Sequence, residues 1–482
     1  MLSRREFLLS AVAASTAPAL ARAQTSADSA PPTVLRIVRR SIEVNGKPAS
    51  VFGIRQPDGT FGIRTEVGKR FRVRLENKID EPSLIHWHGL TPPWQQDGVP
   101  GISGSPIPSG GSADYDFPLR FGGTFWMHSH QGFQEQLLMA APLIIHDQRD
   151  RADQQEVIIM LADFSFTPPE QIFAELKKSG MPSMSGAASP GPATMKGMGT
   201  PGTTMAPGMA MDKPDLNDVK YDALLANDRT LADPAVVQVE PGGRVLLRVI
   251  NSSSMSAFHV DLGALDGELI AVDGFRTVPV TGRRFPITVA QRLDIRLAIP
   301  RAAAAHPVLA LLEGENKQTG IILRAGDAPI ARISDTANMA SPALTLDLER
   351  RLRALEPLKP RKANRVHTLN LTGEMAGYRW SLNNVSWSKD VPPLPLAQGE
   401  RVELIFINQT RMPHPMHLHG HEFQVVEIDG KRFAGAVRDT VLVPPGRRVV
   451  VAFDANNPGL WALHCHLLYH LEAGMFTTLR YV

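Results

Sequence analysis

The chain has one cysteine in 482 residues, few aromatic residues (6%) and almost no excess of either charge. A single cysteine excludes an internal disulfide framework. A lone thiol in an exported protein is a liability unless it is buried or bound, so Cys465 needs a chemical reason to exist. The 51 basic residues are nearly balanced by 48 acidic ones, which excludes the concentrated basic face of a nucleic-acid-binding protein. An apolar stretch ending at Leu20 runs for about 15 residues, short of the roughly 20 that a membrane span needs. Proline and glycine are plentiful at 39 each, which suits a turn-rich all-β chain, and the length is enough for two to four domains.

The N-terminus reads Ser3-Arg4-Arg5-Glu6-Phe7, then the apolar stretch, then Ala21-Arg22-Ala23. A charged start, a short apolar core and an Ala-x-Ala site make a secretory signal over residues 1–23, and the arginine pair makes it twin-arginine type. Cleavage after Ala23 would remove three arginines and one glutamate and take the net charge from +3 to +1. The expectation is a periplasmic protein that meets the twin-arginine export machinery, then works as a monomer with no membrane or nucleic-acid partner.

Three segments repeat one pattern. Gly68 to Asn77 leads to His86, Gly242 to Asn251 leads to His259, and Gly399 to Asn408 leads to His417. Each holds aliphatic residues in partial alternation between a glycine and an asparagine, the signature of a strand. A second match, Gly123-Thr-Phe-Trp-Met-His128 against Gly459-Leu-Trp-Ala-Leu-His464, joins the first and third units. The spacing predicts three homologous β-sandwich domains at 33–148, 155–330 and 340–482. Residues 180–211 interrupt the second with seven methionines, seven glycines and five prolines, but no aromatic or acidic residue. Such a composition builds no core and is read as a mobile insertion. The Arg- and Pro-rich stretch from Asp347 to Asn364 reads as the linker into the third domain.

Ten of the 15 histidines fall in four clusters: His86/His88, His128/His130, His414/His417/His419, and His464/His466/His470 around Cys465. A random chain of this composition would give about half a His-x-His pair, and these clusters hold four. Residues two apart on a strand share a face, so each pair can present two imidazoles to a metal. Cys465, between His464 and His466, must point the other way and can serve a second site. A thiolate, two imidazoles and a distant thioether form the blue-copper ligand set, and His414, Cys465, His470 and Met475 supply it. Eight remaining imidazoles suit a cluster of copper ions. Zinc could explain any one pair but not four pairs with a bridging cysteine. His146, His259, His306, His367 and His421 read as structural or surface residues.

These motifs, in order and spacing, resemble the multicopper oxidase family of laccases, ascorbate oxidases and bacterial copper oxidases. The resemblance covers nearly the whole mature chain and implies three consecutive cupredoxin-like Greek-key domains with four coppers. It assigns His414, Cys465, His470 and axial Met475 to the type 1 copper, and His86 and His417 to type 2. His88, His128, His130, His419, His464 and His466 would hold the type 3 pair, between the first and third domains. A reductant would deliver electrons near His470, the ligand expected closest to solvent, and Cys465 with His464 and His466 would pass them to a cluster that reduces dioxygen to water. Asp97, in Gln96-Asp97-Gly98, stands where the family has a proton-relaying acid, although Asp-Gly is also a turn signal. Leu471 occupies a second position where relatives often carry an acid, with Glu472 beside it.

His470-Leu-Glu-Ala-Gly-Met475 and His128-Ser-His-Gln-Gly-Phe-Gln-Glu135 look most like the periplasmic copper-resistance subgroup. Thioethers favour Cu(I), so the 180–211 insertion suggests a cuprous oxidase. Met412 stands where such enzymes place a substrate-copper methionine, but Thr410 replaces an acid, so that site is incomplete by comparison. The alternatives are a laccase-like phenol oxidase and a copper-sequestering protein. A complete ligand set disfavours storage, which needs no type 1 site joined to a cluster.

Overall fold

The computed structural model describes residues 31–150, 152–179 and 216–482; the signal at 1–23 and the insertion at 180–211 lie outside them. Strands dominate, and the α-helices among the described residues are Pro169–Ser179, Asp347–Arg351 and Leu468–Glu472. Asp347–Arg351 opens the Arg- and Pro-rich linker. No helix among the described residues is long and apolar enough to cross a membrane.

Among the described residues six sheets pack as three pairs, one pair for each repeat of the sequence. The repeated segments hold the same place in each pair. Arg70–Asn77 lies parallel to Thr33–Val44, Arg244–Asn251 to Gln155–Phe164, and Arg401–Asn408 to Arg365–Glu374. Alternation does the local work: Phe71, Val73 and Leu75 are buried while the arginines between them reach outward. The first and third domains back their histidine strands with tryptophan (Trp87, Trp461), and the core of the second is mainly aliphatic around Phe258 and Phe285.

The asparagine that ends each repeat explains how the next strand is aimed. Asn77 donates to the Glu81 and Ile107 carbonyls, Asn251 to Ser256, and Asn408 to Met412 and Val443. Each side-chain oxygen accepts a backbone N–H two residues on, the turn that asparagine forms with its own backbone. All three side chains are buried, so the loops are pinned from inside.

Candidate metal centre

The pinned loops deliver short strands that pair in register. Ile85–His88 lies antiparallel to Gly123–Ser129 with His86 opposite His128. His414–Leu418 lies antiparallel to Leu460–Cys465 with His417 opposite His464 and Met416 opposite Cys465. In the second domain His259 faces Leu311 across the ladder, and its Nδ1 lies 2.8 Å from Ser341 Oγ. Two domains therefore bring histidine pairs and one does not.

The pairs of the first and third domains interleave. His88 stacks on His417 with ring centroids 3.8 Å apart, and His86 lies tilted against His419 at 3.9 Å. His130 and His464 complete one side of the cluster, with His419 Nε2 2.9 Å from His464 Nε2. His128 and His466 complete the other, with His88 Nδ1 3.4 Å from His128 Nε2.

Acceptors on the outer side of the rings set which nitrogen faces inward. His86 Nδ1 donates to the Asp97 carbonyl at 2.8 Å, His417 Nδ1 to the Asp439 carbonyl at 2.9 Å, and His464 Nδ1 to the Cys465 carbonyl at 2.9 Å. His419 Nδ1 donates to Asp97 Oδ2 at 2.9 Å, and His128 Nδ1 lies 2.7 Å from Glu135 Oε2. A ring nitrogen facing a carbonyl or carboxylate must carry the proton, so these rings offer Nε2 to the interior. His88 is reversed: its Nε2 donates to Asp439 Oδ1 at 3.0 Å, and Nδ1 faces inward.

The Nε2 atoms of His86, His130, His417 and His466 are buried and make no hydrogen bond. A buried polar atom left unpaired costs about 1–3 kcal/mol, and four in one cluster fit imidazole-loving metal ions. Burial, reinforced by the neighbouring imidazoles, pushes His88, His128, His130, His419, His464 and His466 well below the usual histidine range. Neutral rings keep the lone pairs that metals require.

A second constellation lies behind Cys465. Its Sγ is 3.6 Å from His414 Nδ1 and 3.8 Å from His470 Nδ1, and the two nitrogens are 3.2 Å apart. Three donors this close could hold one metal ion. Thr410 Oγ1 sits 2.8 Å from His414 Nε2 and fixes that ring. Met475 is buried in the same core, and its carbonyl accepts the Cys465 N–H at 3.0 Å. Met412 is buried in that core as well. Burial pushes the Cys465 thiol up, so a thiolate here calls for a cation beside it.

Like those of His414, Cys465 and Met475, the His470 side chain is fully buried. Trp380 stacks on it at 4.0 Å, and Asp218 of the second domain accepts its Nε2–H at 2.9 Å. Tyr378 O–H donates to the same Asp218 oxygen at 2.5 Å, while Asp218 Oδ1 has no hydrogen-bond partner.

Asp97 does two things at once. Gly98 has φ +86°, and a Cβ there would come within 1.9 Å of the Ile85 carbonyl, so Asp97-Gly98 is a tight turn against the His86 strand. The buried Asp97 carboxylate meanwhile reaches His419, with its other oxygen 3.2 Å from His86 Nδ1. Glu472 lines a cavity of about 10 Å³ with Glu135, His128, His130, His464 and His466, room for about one water. Burial pushes its carboxyl up to about 7. Sequence reasoning missed Glu135, Asp218 and Asp439 as groups around the metal ligands; the only signal was Glu135 seven residues after His128. A cavity of about 790 Å³ between the first two domains, lined by His146, Glu156 and Arg248, involves none of the candidate ligands.

Family models described as multicopper oxidase match residues 39–150, 155–324 and 360–482. Multicopper oxidase MmcO of Mycobacterium tuberculosis is 30% identical over 447 residues, covering 87% of this chain and 81% of that protein. The copper resistance protein A homolog of Pseudomonas syringae pv. tomato is 28% identical and covers 87% of each chain. Among solved structures, the laccase from Botrytis aclada superposes with a TM-score of 0.73 at 21% identity, over 93% of this chain and 88% of that one. A multicopper oxidase from Campylobacter jejuni described as a metallo-oxidase gives 0.65 at 17% identity, over 93% and 90%. The two structures speak to the fold alone, three cupredoxin-like domains in series. The family models together span most of the sequence, and with the mycobacterial relative they lead to one conclusion: the chain belongs to the multicopper oxidase family and is a copper-dependent oxidoreductase that uses dioxygen.

Proposed function

We propose that this oxidase takes its electrons from Cu(I) in the periplasm, as part of copper defence, and works with four coppers. In this reading His414, Cys465, His470 and Met475 hold the type 1 ion, and His86 and His417 the type 2 ion. His88, His128, His130, His419, His464 and His466 hold the type 3 pair. Bound copper supplies one-electron chemistry at Cys465 and four-electron reduction of dioxygen at the histidine cluster.

The chain's own residues connect and feed these sites. The Cys465 peptide joins both: its side chain faces His414 and His470, and its carbonyl accepts the His464 Nδ1–H at 2.9 Å. That is a short bonded route for an electron. Asp97 stands against His419 and His86, within reach of protons that dioxygen reduction consumes.

Asp218 carries the choice of substrate. It stands seven residues beyond the methionine-rich stretch, its Oδ2 accepts from His470, and its Oδ1 is buried without a donor. A buried carboxylate oxygen of that kind attracts a cation. Tyr378 and Trp380 fill the space beside His470, which favours a small ion over a stacked ring. Seven thioethers in 180–211 select Cu(I) among cations. Met412, buried near the type 1 ligands, is the candidate thioether at the substrate ion. Laccase-like phenol oxidation is the second reading, because a phenol O–H could also donate to Asp218 Oδ1.

Oxygen uptake by the copper-loaded protein separates the two. Fast uptake with Cu(I), and phenol turnover only when Cu(II) is added, is the expected result. Efficient phenol turnover without added copper would overturn the cuprous reading.

A further inference from the structure

The second domain brings no ligand, yet one of its side chains reaches the cluster. Arg292, at the start of the strand Arg292–Ala298, is fully buried. All five of its N–H groups have acceptors. Nη1 donates to Asp439 Oδ1 at 2.8 Å and the Ala290 carbonyl at 3.1 Å. Nη2 donates to Asp439 Oδ2 at 2.5 Å and the Asp273 carbonyl at 2.8 Å, and Nε to the Thr124 carbonyl at 3.1 Å. These acceptors come from all three domains.

Asp439 passes that hold to two histidines of different domains. Its Oδ1 accepts the His88 Nε2–H at 3.0 Å, and its carbonyl accepts the His417 Nδ1–H at 2.9 Å. Thr440 Oγ1 donates to the same Oδ1 at 2.9 Å. His88 and His417 are the rings that stack at 3.8 Å across the seam between the first and third domains. The chain beside His88 is stripped to make room. Gly89 has φ +87°, and a Cβ there would sit 2.6 Å from Arg292 Nη2 and 2.7 Å from Asp439 Oδ2.

A two-pronged guanidinium fixes both the position and the rotation of a carboxylate, which a lysine ammonium cannot do. A carboxylate so fixed obliges His88 to carry its proton on Nε2 and offer Nδ1, the reverse of its neighbours. We infer that Arg292 of the copper-free domain is a positioning residue for the trinuclear site, acting through Asp439 to set the orientation and proton placement of His88 and its stacking on His417. The role rests on the trinuclear reading of the histidines and is independent of the reductant.

The test uses full-length, copper-loaded protein and reads the type 2 copper resonance, the blue absorption and copper affinity. Arg292→Met should keep the blue band, alter or lose the type 2 resonance, and weaken copper binding at the cluster about 10–100-fold. Arg292→Lys, which keeps the charge without the fork, should change the same resonance in the same direction but less. Arg248→Met is the structural control. Arg248 is buried and ties the second domain to the Thr124 hydroxyl, and bonds Asp294 and Glu156 as well. Its loss should destabilise the protein and leave the type 2 resonance alone. An Arg292→Met protein with a wild-type resonance and affinity, or an Arg248→Met protein with the same spectral loss, would overturn the assignment. Wild-type protein lacking any type 2 resonance would instead overturn the trinuclear reading beneath it.

Discussion

Asp218→Asn removes a charge while keeping a shape, so its effect can be worked through. The carboxylate accepts from Tyr378 O–H at 2.5 Å and His470 Nε2–H at 2.9 Å, with both partners buried. Hydrogen bonds to a charged group contribute about 1.5–3 kcal/mol and neutral ones about 0.5–1.5. An amide oxygen can still accept both donors, so the hold on His470 weakens by about 1 kcal/mol and the ring stays in place. The larger effect falls on an approaching cation. A unit charge about 4 Å from a carboxylate gains about 4 kcal/mol at an effective dielectric of 20. The amide dipole and solvent recover roughly half of that, leaving a loss of about 2 kcal/mol, or roughly 30-fold. The expected outcome is a roughly 30-fold fall in kcat/KM for Cu(I), with a shallower dependence on ionic strength, and a change below about threefold for a neutral phenol. Initial rates of oxygen uptake against Cu(I) concentration at several salt concentrations, and against phenol concentration, measure all three. An unchanged KM for Cu(I) with unchanged salt dependence would refute the role given to Asp218.

Four further outcomes follow from other parts of the molecule. Cys465→Ser should abolish the blue band and turnover while the histidine cluster keeps its copper; turnover that survived would remove Cys465 from the electron path. Asp97→Asn should keep the blue band and slow reoxidation by dioxygen by about 10²-fold or more, followed by stopped-flow mixing of the reduced protein with oxygen. Deleting 180–211 should lower Cu(I) oxidation and raise phenol oxidation, and equal losses of both would count against a copper-delivering role. His259, in the second domain, is held down at about 4 by burial and by Arg284. Above pH 6.5 both folded and unfolded states are neutral and its contribution is full. As pH falls from 6.5 through 4, the unfolded chain takes a proton the folded one refuses, and about 2–3 kcal/mol is lost. His259→Phe should flatten that part of the acid dependence in urea denaturation at pH 7 and 4.5; an identical slope would show that another group is responsible.

The candidate ligands were legible in the sequence because strand geometry leaves a periodic mark. His86 and His88 share a face by parity alone, and the same parity turns Cys465 away from its neighbours. The repeated run from glycine to asparagine was visible because a pinned turn needs one side chain able to accept from its own backbone. The supporting acids left no such mark. Asp439 is the bend between two short strands, Val437–Arg438 and Thr440–Val443, and its carboxylate reaches Arg292 and His88, 147 and 351 residues away, while Asp218 comes from a loop of the second domain. Single residues joined through space carry no spacing to read. The groups packed on His470, Asp218 and Trp380, were not legible for the same reason, since they come from distant stretches of chain. Asp97 could be read two ways in sequence because an Asp-Gly turn and a carboxylate reaching a ring are compatible, and the structure contains both.

The asparagine device in the second domain has a bearing on engineering. Asn251 organises its loop as Asn77 and Asn408 do, yet the strand it aims carries His259 opposite Leu311. Frame and ligands are thus separable parts: the frame is set by amide side chains and ladder pairing, and the imidazoles are passengers on it. Leu311→His would place two imidazoles across that ladder, as His86 and His128 stand across theirs, and make the second domain a host for a grafted ion built on a scaffold the chain already folds.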